Sequence, residues 1–208
     1  MILSKFKYPI AAIFLTVSAE AITASSHRRV AILGDSLSTG AATHPDLVYD
    51  PKVLWNILSG KTSLRQLDPG LRPAQRLLPS FREWNNAFDG VLGFFWFTAA
   101  SLFLDTPEYS WGYLTALGLG VDGSDVLIAA ANGARVGALR AQVNRVLDAT
   151  RGELPDEVLL LFGGNDICGP TLDSVPRPEV FEEEIYRGVR YLLINGRTPA
   201  RAVRISLV

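Results

Sequence analysis

Hydrophobic residues in this chain are grouped into short uninterrupted runs, which polar turns and longer periodic segments separate. Such runs lie at Val30–Leu33 and Val126–Ala131 and within Glu157–Phe162, and Val203–Val208 is a fourth strand-like segment at the end of the sequence. A continuous apolar run bounded by a turn signal is typical of a strand that is buried on both faces, as in a parallel sheet. The pattern therefore predicts four parallel strands in one sheet.

Two segments, 137–149 and 179–195, repeat apolar residues at the spacing of an amphipathic helix. These residues are Leu139, Val143, Val146 and Leu147 in the first segment and Phe181, Ile185, Val189 and Leu192 in the second. Gly196 is the natural stop of the second helix, and a short helix is expected over Leu37–Ala42. The alternation of strands and helices predicts a three-layer α/β fold, with helices on both sides of a parallel sheet.

The connection between the first and second strands, residues 45–120, is longer than a plain strand–helix–strand crossover needs. We expect an insertion with helices of its own. Within it, Val91–Leu104 is apolar all round and, at 14 residues, too short to span a bilayer. Three interpretations stay open for this segment: a buried core helix, a wall or lid over an acyl-binding cleft, and peripheral contact with a membrane or lipid surface.

Polar turns follow the first three strands. They are Gly34-Asp35-Ser36, Asn132-Gly133 and Gly163-Gly164-Asn165-Asp166. The carboxyl ends of parallel strands share one edge of the sheet, and ligands of open α/β sheets bind at that edge. We therefore expect Ser36, Gly133 and Asn165 to converge in space.

These residue types suit acyl transfer, which needs a nucleophile, a base and hydrogen-bond donors for the developing oxyanion. Ser36 supplies a hydroxyl at the end of a strand, and Asp35 is placed to cap the segment that follows. The backbone N–H groups of Ser36 and Gly133, with the side-chain amide of Asn165, are the candidate oxyanion donors. Ser36, Gly133 and Asn165 are therefore the candidate catalytic residues.

Three sequence blocks, in this order, resemble those of the SGNH/GDSL hydrolases. The blocks are Gly34-Asp35-Ser36-Leu37, Ala131-Asn132-Gly133-Ala134 and Gly163-Gly164-Asn165-Asp166. The resemblance covers roughly residues 29–208. The string Leu161–Cys168 is similar to the phospholipase B-like branch of that family, and Ala131–Gln142 supports the same subgroup.

The resemblance implies a flavodoxin-like fold with a long insertion after the first strand. It implies hydrolysis of a lipid or small-molecule ester through an acyl-serine intermediate on Ser36, with no metal and no cofactor. Two alternatives stay open. One is a carbohydrate (acetyl) esterase, and the other is a non-catalytic lipid- or glycan-binding module on the same fold.

The chain departs from the family in one block. The family's fourth block is an Asp-x-x-His that supplies the base and its orienting carboxylate, and this sequence has no such motif. Its two histidines are His27, expected at the opposite edge of the sheet, and His44, eight residues past Ser36. Because the last apolar run stops at Val208, we expect a C-terminally truncated hydrolase that lacks its last strand and helix and has a poorly activated serine.

Composition narrows the class of protein further. The length of 208 residues suits one domain, which we place at residues 29–208. A formal net charge of −1 argues against a nucleic-acid partner, which would need a basic patch. Cys168 is the only cysteine of the sequence, so it forms no internal disulfide. It is either a buried small apolar residue or a free thiol.

The first 21 residues have the features of a secretory signal peptide. Lys5 and Lys7 give a basic start, Tyr8–Val17 is a short apolar core, and Ala19-Glu20-Ala21 is a small-x-small cleavage site. We therefore predict export to a periplasm or to the medium. The alternative for this segment is a buried first helix.

Overall fold

The computed structural model describes residues 28–40, 50–62, 66, 74–79, 106–167, 175–197 and 203–207. The predicted signal peptide, the apolar segment 91–104, Cys168 and both histidines lie outside these residues.

The described residues form one sheet of five parallel strands. The strands are β1 (Val30–Gly34), β2 (Gln75–Arg76), β3 (Val126–Ile128), β4 (Glu157–Leu161) and β5 (Arg204–Leu207). Their order across the sheet is β2-β3-β1-β4-β5. The predicted parallel sheet and its four strands are confirmed. The two-residue strand β2 is an addition at one edge, where it pairs with β3.

Six helices accompany the strands within the described ranges. They are α1 (Ser36–Thr39), α2 (Pro51–Leu58), α3 (Trp111–Gly118), α4 (Leu139–Ala149), α5 (Gly164–Ile167) and α6 (Pro178–Asn195). Single 3₁₀ turns occupy Pro107–Tyr109, Gly123–Asp125 and Val136–Ala138. Helices α4 and α6 confirm the periodic segments, and α2 and α3 confirm that the region between the first two predicted strands has helices of its own. None of the described helices is long and apolar enough to cross a membrane.

Helix α1 is shorter than the sequence predicts. It starts at Ser36 and ends where Gly40 takes a left-handed conformation, with φ of 68°. A residue with positive φ cannot continue a right-handed helix, so the turn closes there. The predicted short helix is therefore confirmed, but it starts one residue earlier and closes at Gly40.

Side chains of β1 alternate between two apolar cores, one on each face of the sheet. Ala31 and Leu33 belong to a cluster with Leu139 and Val143 of α4 and Leu192 of α6. On the other face, Val30 and Ile32 belong to a cluster with Tyr113 and Ala116 of α3. Helices therefore cover both faces of the sheet, as predicted. Full burial of each large aliphatic side chain in these cores stabilises the fold by about 1.5–3 kcal/mol.

Glycine sets the distance between α3 and the sheet. A Cβ atom on Gly112 would lie 2.8 Å from Cγ2 of Ile32, which is closer than real Cβ contacts allow. Gly118, at the other end of the same helix, would place its Cβ in open space. The two glycines differ in their packing and therefore form a matched pair for substitution.

We expect Gly112→Ala to lower the free energy of unfolding by about 1–3 kcal/mol, because the added methyl group overpacks the contact with Ile32. Gly118→Ala should leave stability unchanged or raise it by up to about 1 kcal/mol, since alanine is the better helix former. Urea unfolding followed by circular dichroism measures both values. Equal effects of the two substitutions would contradict the close approach of α3 to β1.

Candidate active site

Ser36 stands at the carboxyl end of β1, where the strand turns directly into α1. The carboxylate of Asp35 caps this helix, because its Oδ1 accepts a hydrogen bond from the Leu37 N–H at 3.0 Å. The predicted capping role of Asp35 is thus confirmed. Asp35 is only 1% exposed, whereas Ser36 is partly exposed. The turn is therefore fixed by buried groups and presents the serine toward the surface.

The turn requires glycine at position 34. Gly34 has φ of 151°, and a Cβ atom there would lie 2.2 Å from the carbonyl oxygen of Leu161 on β4. Any side chain would push β1 and β4 apart at the point where Ser36 emerges. The glycine of the first sequence block is thus needed for close strand contact as well as for the turn.

The connections that leave β1 and β4 run in opposite directions. The chain leaves β1 toward the side of the sheet that holds β3 and β2, and it leaves β4 toward β5. Helices α3 and α6, which follow the two strands, lie on opposite faces of the sheet. In open α/β sheets, such a switch point forms the crevice in which ligands bind. Ser36 and the turn after β4 stand on its two sides.

Hydrogen bonds tie the Ser36 turn to the turn after β4. The N–H of Asp35 donates to the carbonyl of Leu161 at 3.3 Å. The Asp35 carboxylate accepts a further hydrogen bond from the backbone N–H of Gly164. Because Gly164 directly precedes Asn165, this contact brings the predicted oxyanion donor next to the serine turn.

A second pair of contacts ties the Ser36 turn to the turn after β3. The N–H of Ala131 donates to the carbonyl of Gly34 at 3.1 Å. The Thr39 hydroxyl lies 2.8 Å from Oδ1 of Asn132 and 2.9 Å from the carbonyl of Ser36, so its single proton is shared between them. Asn132 immediately precedes Gly133, whose φ of 70° gives the turn its shape.

A third pair joins the turn after β3 to the turn after β4. Nδ2 of Asn165 donates to the carbonyl of Ala134 at 3.1 Å. The N–H of Val136 lies 3.1 Å from both carboxylate oxygens of Asp166. The three turns are therefore linked pairwise. The structure brings together the turns that carry Ser36, Gly133 and Asn165, as the sequence predicts.

Two buried carboxyl groups lie within this network. Burial raises the pKa of Asp35, and the backbone N–H groups of Leu37 and Gly164 offset part of that effect. Burial also raises the pKa of Asp166, and the nearby Asp35 carboxylate raises it further. The N–H of Val136 and the charge of Arg135 act in the opposite direction. The structure therefore stabilises the protonated forms of both groups relative to the unfolded chain.

The insertion supports α1 from its far side. Nε1 of Trp111 donates to the Ser38 hydroxyl at 3.2 Å. The N–H and the hydroxyl of Thr106 both donate to the carbonyl of Gly40, at 3.0 and 2.8 Å. Residues from the long connection thus hold the end of the helix that begins at Ser36.

Sequence reasoning missed the role of Gln142. Its side chain is fully buried, and it binds both the N–H and the carbonyl of Gly34. The available signal was a glutamine one turn from Leu139 and next to Val143, on the apolar face of a predicted helix. A polar residue at such a position requires buried hydrogen-bond partners.

A separate surface groove lies along α4 and α6 and shares no residue with the three turns. Its volume is 420 Å³, and its lining consists of Arg140, Glu184, Arg187, Gly188, Arg190, Tyr191, Ile194 and Asn195. The Arg140 guanidinium lies 4.5 Å from the centroid of the Tyr191 ring. No group of three or more potential metal ligands occurs among the residues that the structure describes.

Comparisons of the chain with protein-family models, with curated proteins and with solved structures found no match. The geometry of the three turns and the residues they carry are therefore the basis for assigning a function.

The two buried carboxyl groups predict how stability depends on pH. Because their folded pKa values lie above the ordinary value of 3.8, the folded state holds protons that the unfolded chain releases. The free energy of unfolding therefore falls as the pH rises from the ordinary pKa through the raised one. We expect Asp166→Asn to flatten this fall, by at most about 1.4 kcal/mol per pH unit, while its amide oxygen still accepts from Val136.

Urea unfolding of the wild type and of Asp166→Asn, from about pH 4 to pH 8, tests this prediction. The decline with rising pH should be steeper in the wild type. Parallel curves for the two proteins would show that Asp166 does not carry the proposed proton.

Proposed function

We propose that this protein is a serine ester hydrolase of the SGNH/GDSL type, with Ser36 as its nucleophile. The observation that carries the proposal is the pairwise hydrogen bonding of three turns around a switch point of the sheet. The strand order supports it as well. Without the two-residue strand β2, the order β3-β1-β4-β5 matches the first four positions of the flavodoxin-like order 2-1-3-4-5.

In the proposed reaction, the Ser36 hydroxyl oxygen attacks the acyl carbon of an ester. The alcohol leaves with a proton, and water then hydrolyses the acyl-serine. The backbone N–H groups of Ser36 and Gly133 are proposed to bind the developing oxyanion. The Asn165 amide carries two protons, and since one is used on the carbonyl of Ala134, the second is left for that oxyanion.

The base that takes the serine proton is assigned to no described residue. His27 and His44 both lie outside the described ranges, within which no side chain accepts a hydrogen bond from the Ser36 hydroxyl. A serine without an adjacent base is a weak nucleophile. Oxyanion donors and substrate binding alone sustain about 10³- to 10⁴-fold catalysis over water in serine proteases that lack their triad. We therefore expect slow turnover from the groups assigned above.

A lipid or small-molecule ester is the proposed substrate. The apolar segment Val91–Leu104 favours a long acyl chain, because such a chain needs an apolar surface to bind. A carbohydrate acetyl esterase would instead prefer short acyl groups. Rates on acetyl and long-acyl esters of the same alcohol separate these two substrate classes.

A fluorophosphonate probe tests the nucleophile. We expect it to label the wild-type chain covalently, at the slow rate of a serine without an assigned base, and to leave Ser36→Ala unlabelled. Ser38→Ala is the matched control, since Ser38 lies on the same short helix but is fully buried and is bound by Trp111. Mass spectrometry of the labelled peptide identifies the modified residue.

Labelling that persists in Ser36→Ala would overturn the assignment of the nucleophile. A wild-type chain that neither labels nor hydrolyses esters would contradict the hydrolase proposal and favour a non-catalytic lipid- or glycan-binding module.

The oxyanion donor is tested by Asn165→Ala. We expect kcat/KM for ester hydrolysis to fall roughly 100- to 1000-fold, the usual cost of losing one such donor. Asn144→Ala removes the same amide from an exposed position on α4 and should leave kcat/KM unchanged. Equal rates for Asn165→Ala and the wild type would exclude Asn165 from the oxyanion hole.

A further inference from the structure

The side chain of Gln142 takes the place of a neighbouring strand at the end of β1. The regular pairing of β1 with β3 ends at Ile32 and Ile128, and beyond it the chain after β3 reaches Gly34 through the N–H of Ala131, which donates to the Gly34 carbonyl at 3.1 Å. At Gly34 the Gln142 amide fills the position that a strand peptide would take opposite the N–H, and it shares the carbonyl with Ala131. The Gly34 N–H donates to Oε1 at 2.7 Å, and Nε2 donates to the Gly34 carbonyl at 2.8 Å. One side-chain amide thus supplies the donor and the acceptor that a peptide group would supply.

This contact fixes a glycine at the point where β1 turns into α1. Glycine has more backbone freedom than any other residue, and Gly34 needs φ of 151° to let β1 approach β4. Gln142 itself is held firmly, because it is 0% exposed and lies on α4 one turn after Leu139, which is 1% exposed. The rigid packing of α4 therefore also fixes the Gly34 peptide, which directly precedes Asp35 and Ser36.

We propose that Gln142 is a positioning residue for the nucleophile turn: its amide sets the Gly34 peptide, and through it the directions of the Ser36 hydroxyl and the Ser36 N–H. The inference rests on the proposed hydrolase function for its catalytic consequence. Gln142 touches no substrate in this scheme, because it acts through the backbone of β1. Displacements of about 1 Å at a reacting group can cost 100-fold in rate, so such a residue has a measurable effect.

A purely structural role for Gln142 makes a different prediction. If its two hydrogen bonds only stabilise the fold, a variant loses activity in proportion to its unfolded fraction. If the two hydrogen bonds position the turn, kcat per folded molecule falls in the variant. Val143→Ala supplies the comparison, because Val143 is the next residue on α4, is similarly buried in the apolar core and has no polar side-chain group to bind Gly34.

The experiment measures kcat and KM for ester hydrolysis, corrected for the folded fraction, in the wild type, Gln142→Leu, Gln142→Glu and Val143→Ala. We expect kcat of Gln142→Leu to fall about 10- to 100-fold with KM within about twofold. Val143→Ala should lower the thermal midpoint while keeping kcat per folded molecule.

In Gln142→Glu, lowering the pH is expected to restore the lost hydrogen bond by protonating the new carboxylate. Its carboxylate accepts from the Gly34 N–H but cannot donate to the Gly34 carbonyl, whereas the protonated acid does both. The ratio of its kcat to that of the wild type should therefore rise as the pH falls. Other charged groups near the turn, Arg145 on α4 and the carboxyl groups of Asp35 and Asp166, are the same in both proteins, so the ratio removes their effect.

Amide hydrogen exchange separates this inference from the proposed function. We expect the Asp35 and Ser36 amides to exchange faster in Gln142→Leu than in Val143→Ala at matched global stability. Wild-type exchange at these amides in Gln142→Leu would overturn the positioning role, whether or not the chain hydrolyses esters. Unchanged kcat in Gln142→Leu, in a chain that is active, would overturn it as well. An inactive wild type with faster exchange in Gln142→Leu would contradict only the hydrolase function.

Discussion

The structure depends on hydrogen-bond partners for the buried peptide N–H and carbonyl groups where β1 ends. Gly34 and Asp35 lie in the interior, and an unpaired buried polar group costs about 1–3 kcal/mol. Their partners come from different elements: Gln142 on α4, Leu161 on β4 and Gly164 on α5. Because α4 packs on the sheet, β4 belongs to the sheet and α5 follows β4, the turn holds its shape only when all three elements are in place. Ser36 follows directly from this turn.

The two apolar cores determine where those partners stand. Alternate residues of β1 face α4 and α6 on one side and α3 on the other. The aliphatic packing of α4 therefore places Gln142 within hydrogen-bond distance of Gly34. The packing of α3 in the same way places Trp111 within hydrogen-bond distance of Ser38. A change that displaces either helix as a whole, unlike the truncation of one side chain in Val143→Ala, also displaces a hydrogen-bond partner of the serine turn. The position of each helix therefore affects both the stability of the fold and the geometry of the candidate site.

Sequence patterns predicted the features that follow from burial alone. Val30–Leu33 had to be apolar because both faces of β1 are covered, and parallel strands place the turns at Ser36, Gly133 and Asn165 on one edge. Strand β2 was not predictable, since Gln75 and Arg76 carry no apolar pattern and are defined only by pairing with β3. The Gln142 contact joins residues 108 positions apart, and no local periodicity reports such a pairing. The end of α1 depended on the backbone conformation of Gly40.

The most direct test of the central claim is the crystal structure of the chain after reaction with a phosphonate ester. A phosphonate bound to a serine imitates the tetrahedral intermediate of ester hydrolysis, with its oxygen where the oxyanion develops. The account predicts a bond from phosphorus to the Ser36 hydroxyl oxygen, with the phosphonyl oxygen within about 3 Å of the Gly133 N–H nitrogen and of Asn165 Nδ2. An adduct on another residue, an oxygen directed away from both donors, or the absence of any adduct would contradict it.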